Sequence, residues 1–375
     1  MAEKTKKQIV LVIVLLLIVG IISYIESGKV KPDGEAGNQD IVPSETNEER
    51  VALKQEKYEL AKEISTPDGF INVEDINITD LIGEKIILVD FWTYSCINCQ
   101  RTLPYLANWH EKYADEGLVI LGIHTPEFEF EKEYENVKRA VEKWDVKYPV
   151  ILDNDFSTWR SYNNRYWPRK YLIDIDGFIV YDHIGEGGYT ETENKIVELL
   201  NEKNEILGMK EVVQKNEGPD NVDVVDFTQV RTPEIYLGSS RIEYLANVLG
   251  PECAGTPCEY ESDGNVSLNT FELLGIWNIQ GEEAKLESDN GSIFIRFNAS
   301  KVNLVAQSLD GATAEIYLDG ERAEGKAGYS IEDGIVEFKE SDLYNLVDLK
   351  GEYSEHLLEI RFLESGVEAF AFTFG

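Results

Sequence analysis

The four cysteines of this 375-residue chain form two close pairs, Cys96/Cys99 and Cys253/Cys258. The first pair follows the apolar run Ile86–Trp92 and opens a helical pattern, so Cys96 is expected at a helix N-terminus. The N–H groups and dipole of a helix N-terminus favour a thiolate, which is the attacking species in disulfide exchange. Two intervening residues bring the sulfurs within bonding range in the first turn. We therefore predict that Cys96 attacks a disulfide and that Cys99 resolves the mixed disulfide.

A zinc site is the main alternative for a CxxC pair, because such pairs often supply two of four zinc ligands. Zinc would need two further ligands, but the second cysteine pair lies in a different predicted domain and the histidines form no spaced pair. A c-type haem site would need histidine after Cys99, where Gln100 stands. A copper-delivery protein would carry CxxxC rather than CxxC. We expect neither a metal nor a cofactor.

Asp90 interrupts an otherwise apolar strand pattern, six residues before Cys96. A carboxyl group in a buried strand is costly to ionise, so its pKa is expected to rise. Such a group is suited to accept a proton from Cys99 and to return it. The alternative is a carboxylate at a strand end that accepts hydrogen bonds from the backbone.

Five strings carry a resemblance to a known family: FWTYSCINCQRTLPYL, GIHTPEFEFEK, YPVILDND, YWPRKYLIDIDG and GEGGY. They resemble the thioredoxin superfamily, and are similar to the extracytoplasmic thioredoxin-like part of DipZ-type thiol–disulfide proteins, relatives of the TlpA/ResA group. The resemblance covers about residues 60–190. It implies that Asp90 is the buried acid of thioredoxins and that Pro168 is the cis-proline facing the disulfide, rather than an ordinary loop proline.

The same resemblance implies a substrate groove beside the cysteine pair. We expect four residues there, Trp92, Tyr94, Trp167 and His124. For Tyr94 core packing competes with this role, and for His124 a structural role competes. TlpA/ResA proteins often carry Glu three residues after the second cysteine, where this chain has Thr102. Proton handling is therefore expected to fall to Asp90.

The chain divides into a predicted thioredoxin-like α/β domain over 51–207, a charged connector over 208–234, and a β-sandwich over 235–375. Strand and helix patterns alternate in the first domain, which is typical of a mixed sheet. Alternating short strands fill the second. A helix is predicted over 130–144, and Glu129, Glu131, Glu133 and Glu135 are interpreted as its solvated face.

In DipZ-type proteins the β domain resembles a carbohydrate-binding module, so a glycan is a candidate ligand. Several aromatic residues could stack on sugars, although core packing is the commoner role: Trp277, Tyr317, Tyr329, Tyr344 and Tyr353. Cys253 and Cys258 flank a short Gly- and Pro-containing loop. We interpret them as a structural disulfide, with a second redox relay as the alternative.

An uncharged apolar run, Ile9–Ile25, follows Lys4, Lys6 and Lys7. It is long enough for a bilayer core, and the preceding positive charge predicts a cytoplasmic N-terminus. We expect an uncleaved membrane anchor over 1–27 and an acidic flexible tether over 28–50. The alternative is a cleaved signal peptide, but no good cleavage site follows the run. Either segment makes the globular part extracytoplasmic.

Acidic residues outnumber basic ones two to one, 70 Asp+Glu against 35 Lys+Arg. This balance argues against a nucleic-acid partner, since phosphate binding needs basic clusters. The leading hypothesis is a membrane-anchored extracytoplasmic thiol–disulfide oxidoreductase that exchanges disulfides of envelope or secreted proteins. The resemblance favours reduction, with oxidation as the alternative direction. Because DipZ proteins have a multi-helix membrane domain and this chain has one apolar run, the resemblance implies a separate CcdA/DipZ-like membrane electron donor. The competing hypothesis is an envelope glycan-binding or adhesion protein with a thioredoxin-like scaffold.

Overall fold

The computed structural model describes residues 47–215, 218–219, 222–247, 253 and 255–375. The predicted anchor over 1–27 and nearly all of the predicted tether over 28–50 lie outside them. No helix among the described residues combines the length and the apolar character needed to cross a bilayer. Residues Val51–Gly375 pack together as one unit.

Six strands form the sheet of the first domain, in the order β1-β4-β3-β2-β5-β6. They are β1 Gly69–Ile71, β2 Ile86–Trp92, β3 Leu118–His124, β4 Val150–Leu152, β5 Arg169–Ile173 and β6 Ile179–Ile184. Strand β2 runs parallel to β3 and antiparallel to β5. Its central place explains why all seven of its residues are buried. The predicted α/β architecture with a mixed sheet is confirmed.

Helices flank this sheet and differ from prediction mainly at their ends. They are α1 Asn47–Gln55, α2 Ile78–Leu81, α3 Ile97–Tyr113, α4 Tyr134–Lys143, α5 Ser157–Ser161 and α6 Tyr189–Ile206. The helix predicted over 130–144 is wrong in its first turn. There a 3-10 helix covers Glu129–Lys132, and extended backbone at Glu133 separates it from α4.

Thirteen strands form the sheet structure of the β domain among its described residues. They are β7 Ile235–Tyr236, β8 Cys258–Tyr260, β9 Phe271–Ile279, β10 Ala284–Leu286, β11 Ser292–Ala299, β12 Lys301–Gln307, β13 Ala312–Leu318, β14 Glu321–Arg322, β15 Ile331–Glu332, β16 Ile335–Phe338, β17 Asp342–Asp348, β18 Ser354–Phe362 and β19 Glu368–Phe374. The first half of β9 pairs with β11 and the second half with β8 and β10. Gly275 lies between the halves with a φ of +102°, a conformation that favours glycine.

Strands from β7 to β19 contribute side chains to one hydrophobic core, as in a sandwich. Trp277 is completely buried in this core, so it is not available to stack on a sugar. Tyr329 is 68% exposed. A disulfide joins Cys253 to Cys258. Its structural role stays a prediction.

The two domains share a hydrophobic core, which the division at a charged connector did not predict. Phe370 of β19 is 3% exposed, and its ring centre lies 5.1 Å from that of Phe128 and 4.8 Å from that of Phe130. Ion pairs also link the two domains, among them Lys143–Asp342 at 2.5 Å and Arg139–Glu340 at 3.1 Å. The β domain therefore covers one side of the thioredoxin-like domain.

Replacing Phe370 with alanine tests this shared core. Phe370→Ala is expected to lower the free energy of unfolding by about 3 kcal/mol, because it leaves a cavity against two aromatic rings. Urea denaturation of the full chain measures the change. Leu309→Ala is the control, since Leu309 is 86% exposed. Equal stability of the two variants would contradict a shared core.

Candidate functional site

The cysteine pair lies at the N-terminus of α3, as predicted. Cys96 is the N-cap residue, and its Sγ accepts a hydrogen bond from the backbone N–H of Cys99 at 3.3 Å. Both cysteines are free thiols. Cys96 is partly exposed and Cys99 is 1% exposed. The backbone thus presents one thiol to solvent and holds the other in the interior.

Burial makes the Cys99 thiol hard to ionise. Desolvation raises its pKa well above the ordinary value, and the neighbouring Cys96 and the negative charge of Asp90 act in the same direction. A thiol of this kind needs a nearby base before it can act as a nucleophile. Asp90 is the carboxyl group within electrostatic reach.

Asp90 is 1% exposed in the middle of β2. Desolvation raises its pKa to about 7, while the positive charge of Lys170 opposes that rise. Its Oδ1 has no hydrogen-bond partner among the described residues. A carboxyl with a pKa near neutrality can both accept and return a proton under physiological conditions.

Lys170 is a site residue that the sequence reasoning missed. It lies opposite Asp90 in the β2–β5 ladder and is completely buried. Desolvation lowers its pKa, and its Nζ donates to the carbonyl of Gly185 at 3.2 Å. No signal in the sequence marked it, because its place opposite Asp90 depends on the register of β5 against β2.

The bond between Trp167 and Pro168 is cis, as the resemblance implies. The Trp167 Nε1 donates to the carbonyl of Thr125 at 3.0 Å, and its ring lies 4.3 Å from that of Trp159. Trp167 and Cys96 are both partly buried and border the same hydrophobic core. Trp167 is therefore an accessible aromatic surface bordering that core.

The other three residues expected in the groove lie in the interior. Trp92 and His124 have no exposed surface, and Tyr94 is 2% exposed. The His124 ring stacks on Tyr94 at 5.7 Å and meets Trp92 edge-on at 5.2 Å. Desolvation lowers the pKa of His124 to about 3, so its imidazole is neutral at pH 7. The prediction that these three contact substrate is wrong for this conformation, because a buried side chain has no surface to offer.

Glu131 is the second residue that was misjudged from sequence. It is fully buried, whereas the side chain of Glu129 is 75% exposed. One carboxylate oxygen accepts from the Ser95 hydroxyl at 2.6 Å, and the other accepts from the Phe128 N–H at 3.0 Å. The interpretation of Glu131 as part of a solvated face is therefore wrong.

Residues that follow the pair tie α3 to the loop after β6. Arg101 is 5% exposed and forms two hydrogen bonds to the Glu186 carboxylate, at 2.7 and 2.8 Å. Thr102 donates to the carbonyl of Asn98 at 2.9 Å and lies 3.2 Å from the hydroxyl of Tyr189. Thr102 thus supplies no titratable group close to the pair.

Three carboxylates, Asp174, Asp176 and Glu202, lie close enough together for a cation. The Lys54 ammonium already lies among them, at 2.6, 2.9 and 2.6 Å respectively. This cluster is a partly buried ion-pair network that fixes α1 against the sheet.

Two protein families match this chain. The AhpC/TSA family matches residues 59–182, and the family described as "Thioredoxin like C-terminal domain" matches residues 232–375. The first match spans the six-stranded sheet up to β6, and the second spans the β domain.

Three curated proteins are similar to parts of the chain. Protein DipZ of Mycobacterium tuberculosis is 31% identical over 277 residues, which are 72% of this chain and 38% of DipZ. The thiol-disulfide oxidoreductase ResA of Bacillus thuringiensis is 30% identical over 39% of this chain and 80% of ResA. The thiol-disulfide oxidoreductase YkuV of Bacillus subtilis is 28% identical over 40% of this chain and 97% of YkuV. The chain therefore spans well under half the length of DipZ.

The raised pKa of Asp90 predicts how stability depends on pH in the reduced protein. The carboxyl ionises near pH 4 in the unfolded chain and at about 7 in the folded protein, so its stabilising effect is lost as pH rises towards 7. Between pH 5 and pH 8, the unfolding free energy of the wild type should fall by roughly 2–3 kcal/mol relative to Asp90→Asn.

Urea denaturation at the two pH values measures this difference. Asp115→Asn is the matched control, because Asp115 is an exposed acid just beyond the end of α3. Parallel pH profiles for the wild type and Asp90→Asn would show that Asp90 ionises normally in the folded protein.

Proposed function

Because the chain belongs to the thioredoxin-like thiol–disulfide oxidoreductase family, we propose that it reduces disulfide bonds of other proteins through Cys96 and Cys99. One observation carries this proposal: a partly exposed thiol caps α3 and a buried thiol follows it one turn later. An exposed attacking thiol can meet a substrate disulfide, while the buried thiol acts only after the first has reacted.

The reaction balances as two exchanges. The Cys96 thiolate attacks one substrate sulfur, and the other substrate sulfur leaves as a thiolate that takes a proton. The carboxylate of Asp90 then accepts the proton of Cys99, whose thiolate attacks Cys96 and releases the second substrate thiol. The substrate gains two electrons and two protons, and the protein is left with a Cys96–Cys99 disulfide. A reductant must restore the dithiol.

Lys170 supports the proton step electrostatically. Its ammonium opposes the desolvation that favours the neutral form of Asp90, so it limits the rise of the Asp90 pKa. Without this charge, the pKa of Asp90 would rise further, and less of its carboxylate would be available at neutral pH to accept the Cys99 proton.

We infer that the protein acts outside the cytoplasm, anchored to the membrane by the segment over 1–27. The apolar run Ile9–Ile25 and the lysines before it support this location. The similarity to DipZ supports a CcdA/DipZ-like membrane protein as the electron donor and envelope or secreted proteins as substrates. Glycan binding by the β domain stays a prediction from resemblance alone, and with Trp277 in the core the redox function is favoured over it.

Cysteine variants of the full chain test the redox function. Cys96→Ser is expected to abolish turnover with a protein disulfide substrate, because it removes the attacking sulfur. Cys99→Ser should stall on a mixed disulfide at Cys96 that identifies its partners by mass spectrometry.

The matched control is the double variant Cys253→Ser with Cys258→Ser, which should keep its turnover because that disulfide lies in the β domain. Undiminished activity of Cys96→Ser would refute the assignment.

Location is testable with a membrane-impermeant maleimide applied to intact cells that express the full chain. Cys96 should be labelled before lysis, and the chain should remain with membranes after an alkaline carbonate wash. The Cys96→Ser variant controls for labelling elsewhere. Labelling of Cys96 only after lysis would contradict an extracytoplasmic site.

A further inference from the structure

The buried carboxylate of Glu131 bonds to the residue directly before the attacking cysteine. Its Oε1 accepts from the Ser95 hydroxyl at 2.6 Å and from the Ser95 N–H at 3.3 Å. Its Oε2 accepts from the N–H groups of Glu127 and Phe128, at 2.5 and 3.0 Å. Four donors converge on one carboxylate. Burial raises the pKa of Glu131, while the hydrogen bonds from Ser95 and from the Phe128 N–H favour the ionised form and act against that rise.

The β domain holds the loop that carries Glu131. The carboxylate of Glu127 accepts from the Tyr236 hydroxyl at 2.9 Å and from Arg241 at 2.7 Å. On the same loop, Phe128 and Phe130 pack against Phe370. The carboxylate therefore cannot move away without breaking contacts between the domains.

Glu131 is hydrogen-bonded to the residue directly before Cys96, so its ionised form places a negative charge beside the cysteine turn. Such a charge would oppose the formation of a thiolate at Cys96 during disulfide exchange, because like charges repel. The hydrogen bond to Ser95 also fixes the turn from which Cys96 projects.

This rests on the proposed function: we propose that Glu131 is a positioning residue which, through Ser95, sets the reactivity of Cys96. Its carboxylate lowers the reactivity of the attacking thiol. The cysteine pair is therefore a stronger reductant than it would be with an uncharged residue at position 131. It does not contact substrate, and it joins the cysteine turn to a loop that the β domain holds in place.

Other charged groups face Glu131 and Cys96 from the elements packed around them. Near Glu131 and the adjoining Tyr94 they are Glu127, Arg139, Glu340 and Asp342. Near the cysteine pair they are Arg101, Asp90 and Lys170. Arg101 attracts the Cys96 thiolate, so the repulsion from Glu131 acts against an existing attraction.

Glu131→Gln removes the charge and keeps a side chain of the same shape. The bond to Ser95 can be kept, because the Ser95 hydroxyl can accept from the new amide. We expect the rate of iodoacetamide alkylation of Cys96 at pH 7 to rise roughly threefold or more. The pH profile of this alkylation rate should move to lower pH. The equilibrium between the Cys96–Cys99 disulfide and glutathione should shift towards the dithiol by a similar factor.

Glu129→Gln is the matched control, because Glu129 lies on the same 3-10 helix and is exposed. It should behave like the wild type in all three measurements. If Glu131→Gln folds by circular dichroism and also coincides with the wild type, the proposal is overturned.

Ser95→Ala supplies a second test, because it removes the hydroxyl while leaving Glu131 in place. It should change the alkylation profile, and the double variant should differ from Glu131→Gln by less than the sum of the single effects. If Glu131→Gln fails to fold, an unchanged profile in Ser95→Ala overturns the proposal. Absence of turnover in the wild type would instead refute the proposed function.

Discussion

Strand β2 carries the Asp90 carboxyl through the interior of a sheet from which water is excluded. Because all seven residues of the strand are buried, the ionised carboxylate has no solvent to stabilise it. Its pKa rises to about 7, and its charge in turn makes the Cys99 thiol harder to ionise. The proton transfer that would activate the buried Cys99 thiol depends on this one unfavourable burial.

The local parts of the site follow from sequence, because each is decided by neighbours along the chain. The apolar run before Cys96 predicts a central strand, and the change of period after it predicts a helix. Together these place the thiol at a helix N-terminus. Asp90 stands out because a single acid in a buried strand is costly, which marks it as a candidate for proton transfer.

The remaining parts depend on contacts between distant segments. Lys170 reaches the site through the register of β5 against β2, which a single sequence does not reveal. Glu131 alternates with exposed acids along the chain, so its burial depends on the fold that brings it to Ser95, which the local pattern does not reveal. Tyr94 also belongs to the core that both domains share, so a residue expected at a groove lies in the interior.

The shared core around Phe370 also affects whether the thioredoxin-like domain can be separated from the β domain. Sequence patterns divide the chain near residue 207, and the family matches leave a gap between 182 and 232. A fragment cut there would carry Phe128 and Phe130 into water as an apolar patch, prone to self-association. It would also release the loop that presents Glu131 to Ser95. The thioredoxin-like half therefore shares part of its packing with the β domain, and the loop next to its cysteine turn is held by residues of both.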